Sequence, residues 1–281
     1  MLSNNNAGAA LPAGRNKARW AQKSMQWGAK SWFIVAAIGQ GIFTLYIIGL
    51  YGVSALTGNF ERWNSMMPHG YTAGDTAGNI AIGLHLLLAA VVSIGGPFQL
   101  APQSRQRFPR LHRINGKVYI AAAFIMALSG LYLTWVRGSV GGLAGDLAIT
   151  LNAVLLVAFA IPTYRLARAR RMAQHQRWAW RLFMVMSGVW FFRIGLMLWL
   201  ALWGRPVGFD PQTFTGPFLT ALNYGQYLVP LALLEVYFYL KQRPASWRQA
   251  AYGGFLWVCT LLTAGGIVAA TLAMWLPRVL G

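Results

Sequence analysis

Arg193 stands near the middle of the apolar run from Trp178 to Gly204, where an ionised side chain must be answered by some other group. A charge at mid-membrane depth costs roughly 3 to more than 10 kcal/mol, so such an arginine is expected to face the bundle interior and to have a partner. The chain has four histidines, five acids and one cysteine with which to build chemistry. His85 lies within an apolar segment, whereas His112 and His175 each precede one, surrounded by arginines. Neutral imidazoles from two helices at one level are a usual way for a helical bundle to hold b-type haem, and a guanidinium suits a haem propionate or a quinone carbonyl. His112 with His175 form one possible pair, and His85 with His69 an outer one. No His-x-x-x-His spacing and no accompanying carboxylate points to another metal site, so the metal is left unknown. Cys259 is alone, which rules out an internal disulfide.

The elements that must carry these residues are membrane helices. The chain of 281 residues is 57% hydrophobic and 10% charged, a composition that leaves little for a water-soluble domain. Seven segments reach spanning length: Trp32 to Leu56, Asn79 to Leu100, Val118 to Val136, Leu147 to Ala167, Leu182 to Trp203, Phe218 to Leu240 and Tyr252 to Leu276. The expected fold is an all-α polytopic bundle of about seven transmembrane helices. Nineteen of the 24 Lys and Arg residues fall on one side of these spans, and the other side holds Arg62, Arg137, Arg205 and Arg278 beside Glu61, Asp75, Asp146 and Asp210. By the positive-inside rule the N-terminus is cytoplasmic and the C-terminus outside. The net charge of +19 is spread in clusters between apolar runs, which argues for anionic lipid at cytoplasmic loops and against nucleic acid. Trp27, Trp32, Trp63, Trp135, Trp178, Trp180, Trp203 and Trp275 lie near span ends and are expected to be interfacial anchors.

Residues 1–30 are expected to form a cytoplasmic arm and 31–281 the transmembrane domain. Met1 to Gly14 reads as disordered, and Asn16 to Ala29 as a short interfacial helix with Trp20, Ser24 and Trp27 at helical spacing. The second span carries Ala89, Ser93 and Gly96 on the face of His85, a stripe that lets another helix approach, and it closes with a kinking Pro97. Runs around His112 and His175 stand alike before outward-going spans, which suggests a weak tandem repeat of spans two-three and four-five.

The series GGPFQL, LHRINGKVY and HQRWAWR, followed by an arginine in the next span, resembles a family of bacterial predicted membrane proteins whose function is unknown. The resemblance covers roughly residues 79–194 and implies a multi-pass protein of the bacterial inner membrane. Gln176 stands where such a run would carry a second basic residue. The resemblance brings no reaction with it.

With a rise of about 1.5 Å per residue, Arg193 lies roughly 17 Å from one face and His85 roughly 9 Å from the other, nearly level. Tyr132, Asn152, Asn223 and Gln226 come out within about two helical turns of that depth. The sequence therefore predicts a polar layer in the outer half that binds a lipophilic or redox ligand, haem b or quinone, with an electron-transfer role. A non-catalytic subunit of a larger membrane complex and a small-anion transporter are the alternatives. Glu235, the one acid inside a span, is expected to pair with a basic loop residue or to move protons, and Pro230 breaks its helix beside it.

Overall fold

A computed structural model describes residues 13–67 and 69–281, with side chains from Arg19 onward, so Met1 to Pro12 of the expected disordered arm lie outside the described residues. Helices make up nearly all of it. Helix α1 (Ala13–Ile47) passes through a π turn at Ile48–Gly52 into α2 (Val53–Leu56). Then follow α3 (Thr76–Leu100), the short α4 (Pro102–Arg107), α5 (Pro109–Trp135) and α6 (Gly142–Arg168). After these come α7 (Met172–Met186), α8 (Gly188–Trp203), α9 (Pro217–Lys241) and α10 (Trp247–Ala270). A second π turn at Thr271–Trp275 leads into α11 (Leu276–Leu280).

Five of these helical runs are long and apolar enough to cross a membrane, or six if the bent pair α7 and α8 is one span. Helix α9 is as long as α3, but Asn223, Gln226, Pro230 and Glu235 make it less apolar. The chain is an integral membrane protein with an all-α bundle. Neighbours in sequence pack as neighbours in space from α3 through α7, while α1 closes the bundle by lying along α10. Glycines permit that closeness: a Cβ on Gly28 would come within 2.8 Å of the Gly253 carbonyl oxygen. The stretch expected as a separate interfacial helix continues without interruption into the first span, with Trp20 and Trp27 exposed and Met25 buried against Tyr252 and Leu256.

The α7–α8 pair that carries the expected fifth span is not straight: it bends by 49° at Ser187. The Ser187 hydroxyl donates to the Phe183 carbonyl four residues back, and Gly188 follows, a serine–glycine step of the kind that kinks helices. Trp63 and Trp275 are not interfacial anchors either. Trp63 is buried, and its indole donates to the Tyr51 carbonyl at 3.2 Å. Trp275, in the second π turn, stacks on Tyr46, packs at a tilt against Phe43 and is fully buried. The 57–75 loop is fixed by Asp75, which caps α3 by accepting from the Gly78 amide and pairs with Arg137 at 3.5 Å.

Candidate functional site

The three motif runs converge at the basic end of the bundle. Gln99, in the last turn of α3, is held from both sides: Asn115 Nδ2 donates to its Oε1 at 3.0 Å and to the Gly95 carbonyl at 2.9 Å. The Gln99 amide nitrogen then reaches His112 Nε2 at 3.3 Å, and Ser104 Oγ lies 3.4 Å from His112 Nδ1. Because the Ser104 hydroxyl already donates to the Ala101 carbonyl at 2.8 Å, the network assigns the proton to Nδ1 of a neutral His112. Burial pushes the His112 imidazole below its ordinary range, helped by the Arg105 guanidinium and by His175. Both contacts to this ring are longer than ordinary hydrogen bonds, so it is guided rather than locked.

His175 repeats that placement one helical pair later. Each histidine is the fourth residue of its helix, and each is tied to the end of the preceding span. His175 Nδ1 donates to the Thr163 carbonyl of α6 at 2.9 Å, and Nε2 has no hydrogen-bond partner among the described residues. A ring oriented by a backbone carbonyl through one nitrogen is the arrangement found behind metal-binding histidines. The tandem relation of spans two-three and four-five thus has a physical counterpart in two similarly set imidazoles.

His112 and His175 line one cavity of about 1030 Å³. Trp32, Phe33, Trp180 and Phe191 supply an aromatic wall, and Pro230 and Leu234 of α9 close another side. Lys30, Arg105, Arg177 and Lys241 stand among its lining residues, which include no Asp or Glu. A space with an apolar interior, a few polar atoms and a one-signed rim suits an amphiphile with an anionic or carbonyl-bearing end. Among the described residues, no three His, Cys, Asp or Glu side chains come together as a metal-ligand group.

The residues expected to share one outer layer are distributed over several places. His85 Nδ1 lies 2.9 Å from Ser129 Oγ, joining α3 to α5. Asn152 and Gln226 meet beside Gly188 at the α7–α8 bend, where a Cβ would lie 3.1 Å from Asn152 Nδ2 and 3.5 Å from Gln226 Oε1. Asn223 packs against Gly145 of α6, and its carbonyl accepts from Gln226 Nε2 at 2.9 Å. The Tyr132 hydroxyl has no hydrogen-bond partner among the described residues. No hydrogen bond links His85 or Arg193 to Asn152, Asn223, Gln226 or Tyr132 among them.

Arg193 finds an aromatic ring rather than a carboxylate. Its guanidinium carbon lies 5.6 Å from the centre of Phe43, while its buried Nε has no partner among the described residues. Phe43 belongs to an aromatic cluster with Tyr46, Tyr51 and Trp275, built where both π turns face inward. Cation–π contact contributes about 0.5–2 kcal/mol, which offsets part of the cost of a half-buried charge. Glu235 is answered by Arg181, in a two-point pair at 2.6 and 2.9 Å.

Sequence reasoning gave no role to Gln99, Asn115, Ser104 or Thr163. Gln99 and Asn115 were visible as polar residues sixteen apart within the two motif runs. Ser104 and Thr163 act through a hydroxyl oxygen and a main-chain carbonyl, for which residue type gives no signal.

Residues 82–215 match the model of a family described as "Predicted membrane protein (DUF2306)". The match covers just under half of the chain, and takes in His85, His112, Asn152, His175 and Arg193 while leaving out α1, α9 and α10. It supports the membrane assignment and carries no activity. No curated protein and no solved structure gave a match.

Proposed function

We propose that this membrane protein is an electron-transfer component that holds b-type haem between His112 and His175 in the cavity at its basic end. In this reading the chain crosses the bacterial inner membrane seven times, α9 being the additional span, with the basic end cytoplasmic by the positive-inside rule. The observation that carries the reading is the convergence of two imidazoles, one from α5 and one from α7, on one large cavity with a cationic rim. His175 would use its Nε2. His112 would use the nitrogen that now accepts from Gln99, whose long 3.3 Å contact is readily given up. Arg105, Arg177 and Lys241 would meet the propionates, and the aromatic wall would exclude water from the ring. The haem itself would supply a one-electron couple.

A quinone is the second reading, favoured by the fact that both nitrogens of His112 already have partners. The rim cations would then meet a carbonyl. Absorption spectra of protein purified from haem-supplied cells, air-oxidised and then dithionite-reduced, separate the two. Haem binding predicts a Soret band that His112→Ala or His175→Ala removes and His85→Ala leaves in place. A folded protein that stays colourless after haem supply, or one whose band survives both substitutions, overturns the haem reading.

A further inference from the structure

Beside the cavity, sharing Gln174 and Arg177 with it, lies a cleft of about 500 Å³, and of its residues the proposed function uses Arg177 alone. Arg165 comes from the last turn of α6, and Arg177 and Arg181 come from successive turns of α7; all three line the cleft. Pro162, Leu166 and Trp178 give it an apolar floor. Two of its arginines are fixed in position. Arg181 uses Nε and one terminal nitrogen on Glu235, and its guanidinium carbon stands 4.7 Å over the Trp178 ring. Arg177 stands 5.1 Å over Phe238. Arg165 is exposed, with no hydrogen-bond or carboxylate partner among the described residues. Glu235 offsets one of the three charges, and the cleft keeps an excess of positive charge.

What lies next to the cleft indicates the source of its anion. Leu147, Leu151, Val154, Ala158 and Ile161 are exposed on α6 at alternating spacings of four and three residues, which puts them on one helical face. Arg165 continues that face by one more turn. An apolar stripe exposed to acyl chains therefore ends at a cluster of guanidinium groups at the water boundary. A free phosphate would use the cluster alone, whereas a phospholipid would use both. We infer that this cleft binds the phosphate headgroup of an anionic glycerophospholipid, with an acyl chain lying along the exposed face of α6.

Basic pockets at the ends of membrane helices take lipid headgroups, and each cation near the surface contributes enough to change binding roughly fivefold. The test uses full-length protein in nanodiscs of phosphatidylcholine with phosphatidylglycerol, transferred to mild detergent, with retained lipid counted by native mass spectrometry. Wild type should retain phosphatidylglycerol over phosphatidylcholine. Arg165→Gln should lower that retention roughly fivefold, and Arg165→Gln with Arg177→Gln roughly 25-fold if the two act independently. Arg110→Gln, on α5 and outside the cleft, should leave it unchanged. Inorganic phosphate at millimolar concentration should not displace the lipid. Equal retention of both lipids, an Arg110→Gln loss as large as that of Arg165→Gln, or displacement by inorganic phosphate would each overturn the inference. Haem absorbance is read in the same samples, and Arg165→Gln leaves the cavity lining intact, so failure of one proposal is distinguishable from failure of the other.

Discussion

Replacing Ser187 by alanine isolates the joint that sets α7, with His175, against α8, with Arg193. Gln40 Nε2 donates to Ser187 Oγ at 2.8 Å, and Ser187 Oγ donates in turn to the Phe183 carbonyl. Both side chains are buried, Gln40 at 2% and Ser187 at 6% exposure. A polar contact between membrane helices contributes about 0.6 kcal/mol on average and up to about 1.7, while an orphaned buried amide costs about 1–3 kcal/mol. Ser187→Ala leaves the Gln40 amide without its acceptor, so it should cost about 1–2 kcal/mol. Gln40→Leu should cost less, about 0.6 kcal/mol, because the Ser187 hydroxyl keeps Phe183 as its partner. The double substitution should cost about 1 kcal/mol less than the sum of the two, since it removes the orphan along with the bond. Equilibrium unfolding in mixed micelles, followed by circular dichroism, measures all three variants. Additive costs, or a Gln40→Leu cost above that of Ser187→Ala, would refute the account of the joint.

Acid should weaken the fold through His112: its folded pKa is depressed, so the unfolded chain takes up the proton first. Stability from the neutral ring is present above the unfolded value of about 6.5 and is lost as pH falls from there toward the lower folded value. Unfolding midpoints of His112→Gln should therefore depend less on pH than those of wild type between pH 7 and 5, and parallel curves would contradict this. Arg193→Leu should leave the thermal midpoint unchanged or raise it, because the guanidinium makes no hydrogen bond to the described residues and its Nε is buried; a loss above about 2 kcal/mol would reveal a partner. Glu235→Gln should cost about 0.2–1 kcal/mol, diminishing with salt, because the carboxylate is half exposed. An effect that grows with salt would contradict a screened surface pair.

The membrane class and the positions of most helices were legible in the sequence because hydropathy and length leave few other solutions for such segments. His112 and His175 were legible as a pair because both stand at the same offset from an apolar run. Their common cavity was not, because its walls come from α1, α3, α4, α5, α7, α8, α9 and α10, and no linear pattern states which of these converge. The outer polar layer was inferred from depth alone. Depth gives the level of a side chain along the bundle and leaves its azimuth free, so residues at one level point in different directions. His85 turns to Ser129, Gln226 to the bend at Gly188, and Arg193 to Phe43. The bend at Ser187 is a local signal, a serine followed by glycine, but it takes effect through Gln40 on a helix about 150 residues earlier.

Arg193 and His175 show why an unanswered charge and a usable site are different things. The guanidinium lacks a hydrogen-bond partner among the described residues, yet it is packed against an aromatic ring within a cluster of large buried side chains. Its polar need is met in part by the quadrupole of Phe43. His175 is almost the reverse. One of its nitrogens is committed to Thr163, the other has no partner among the described residues, and the ring borders a cavity large enough for a guest. What distinguishes the two is orientation by a second partner together with open volume. That combination occurs at the basic end of the bundle, where the aromatic wall and the rim cations also lie.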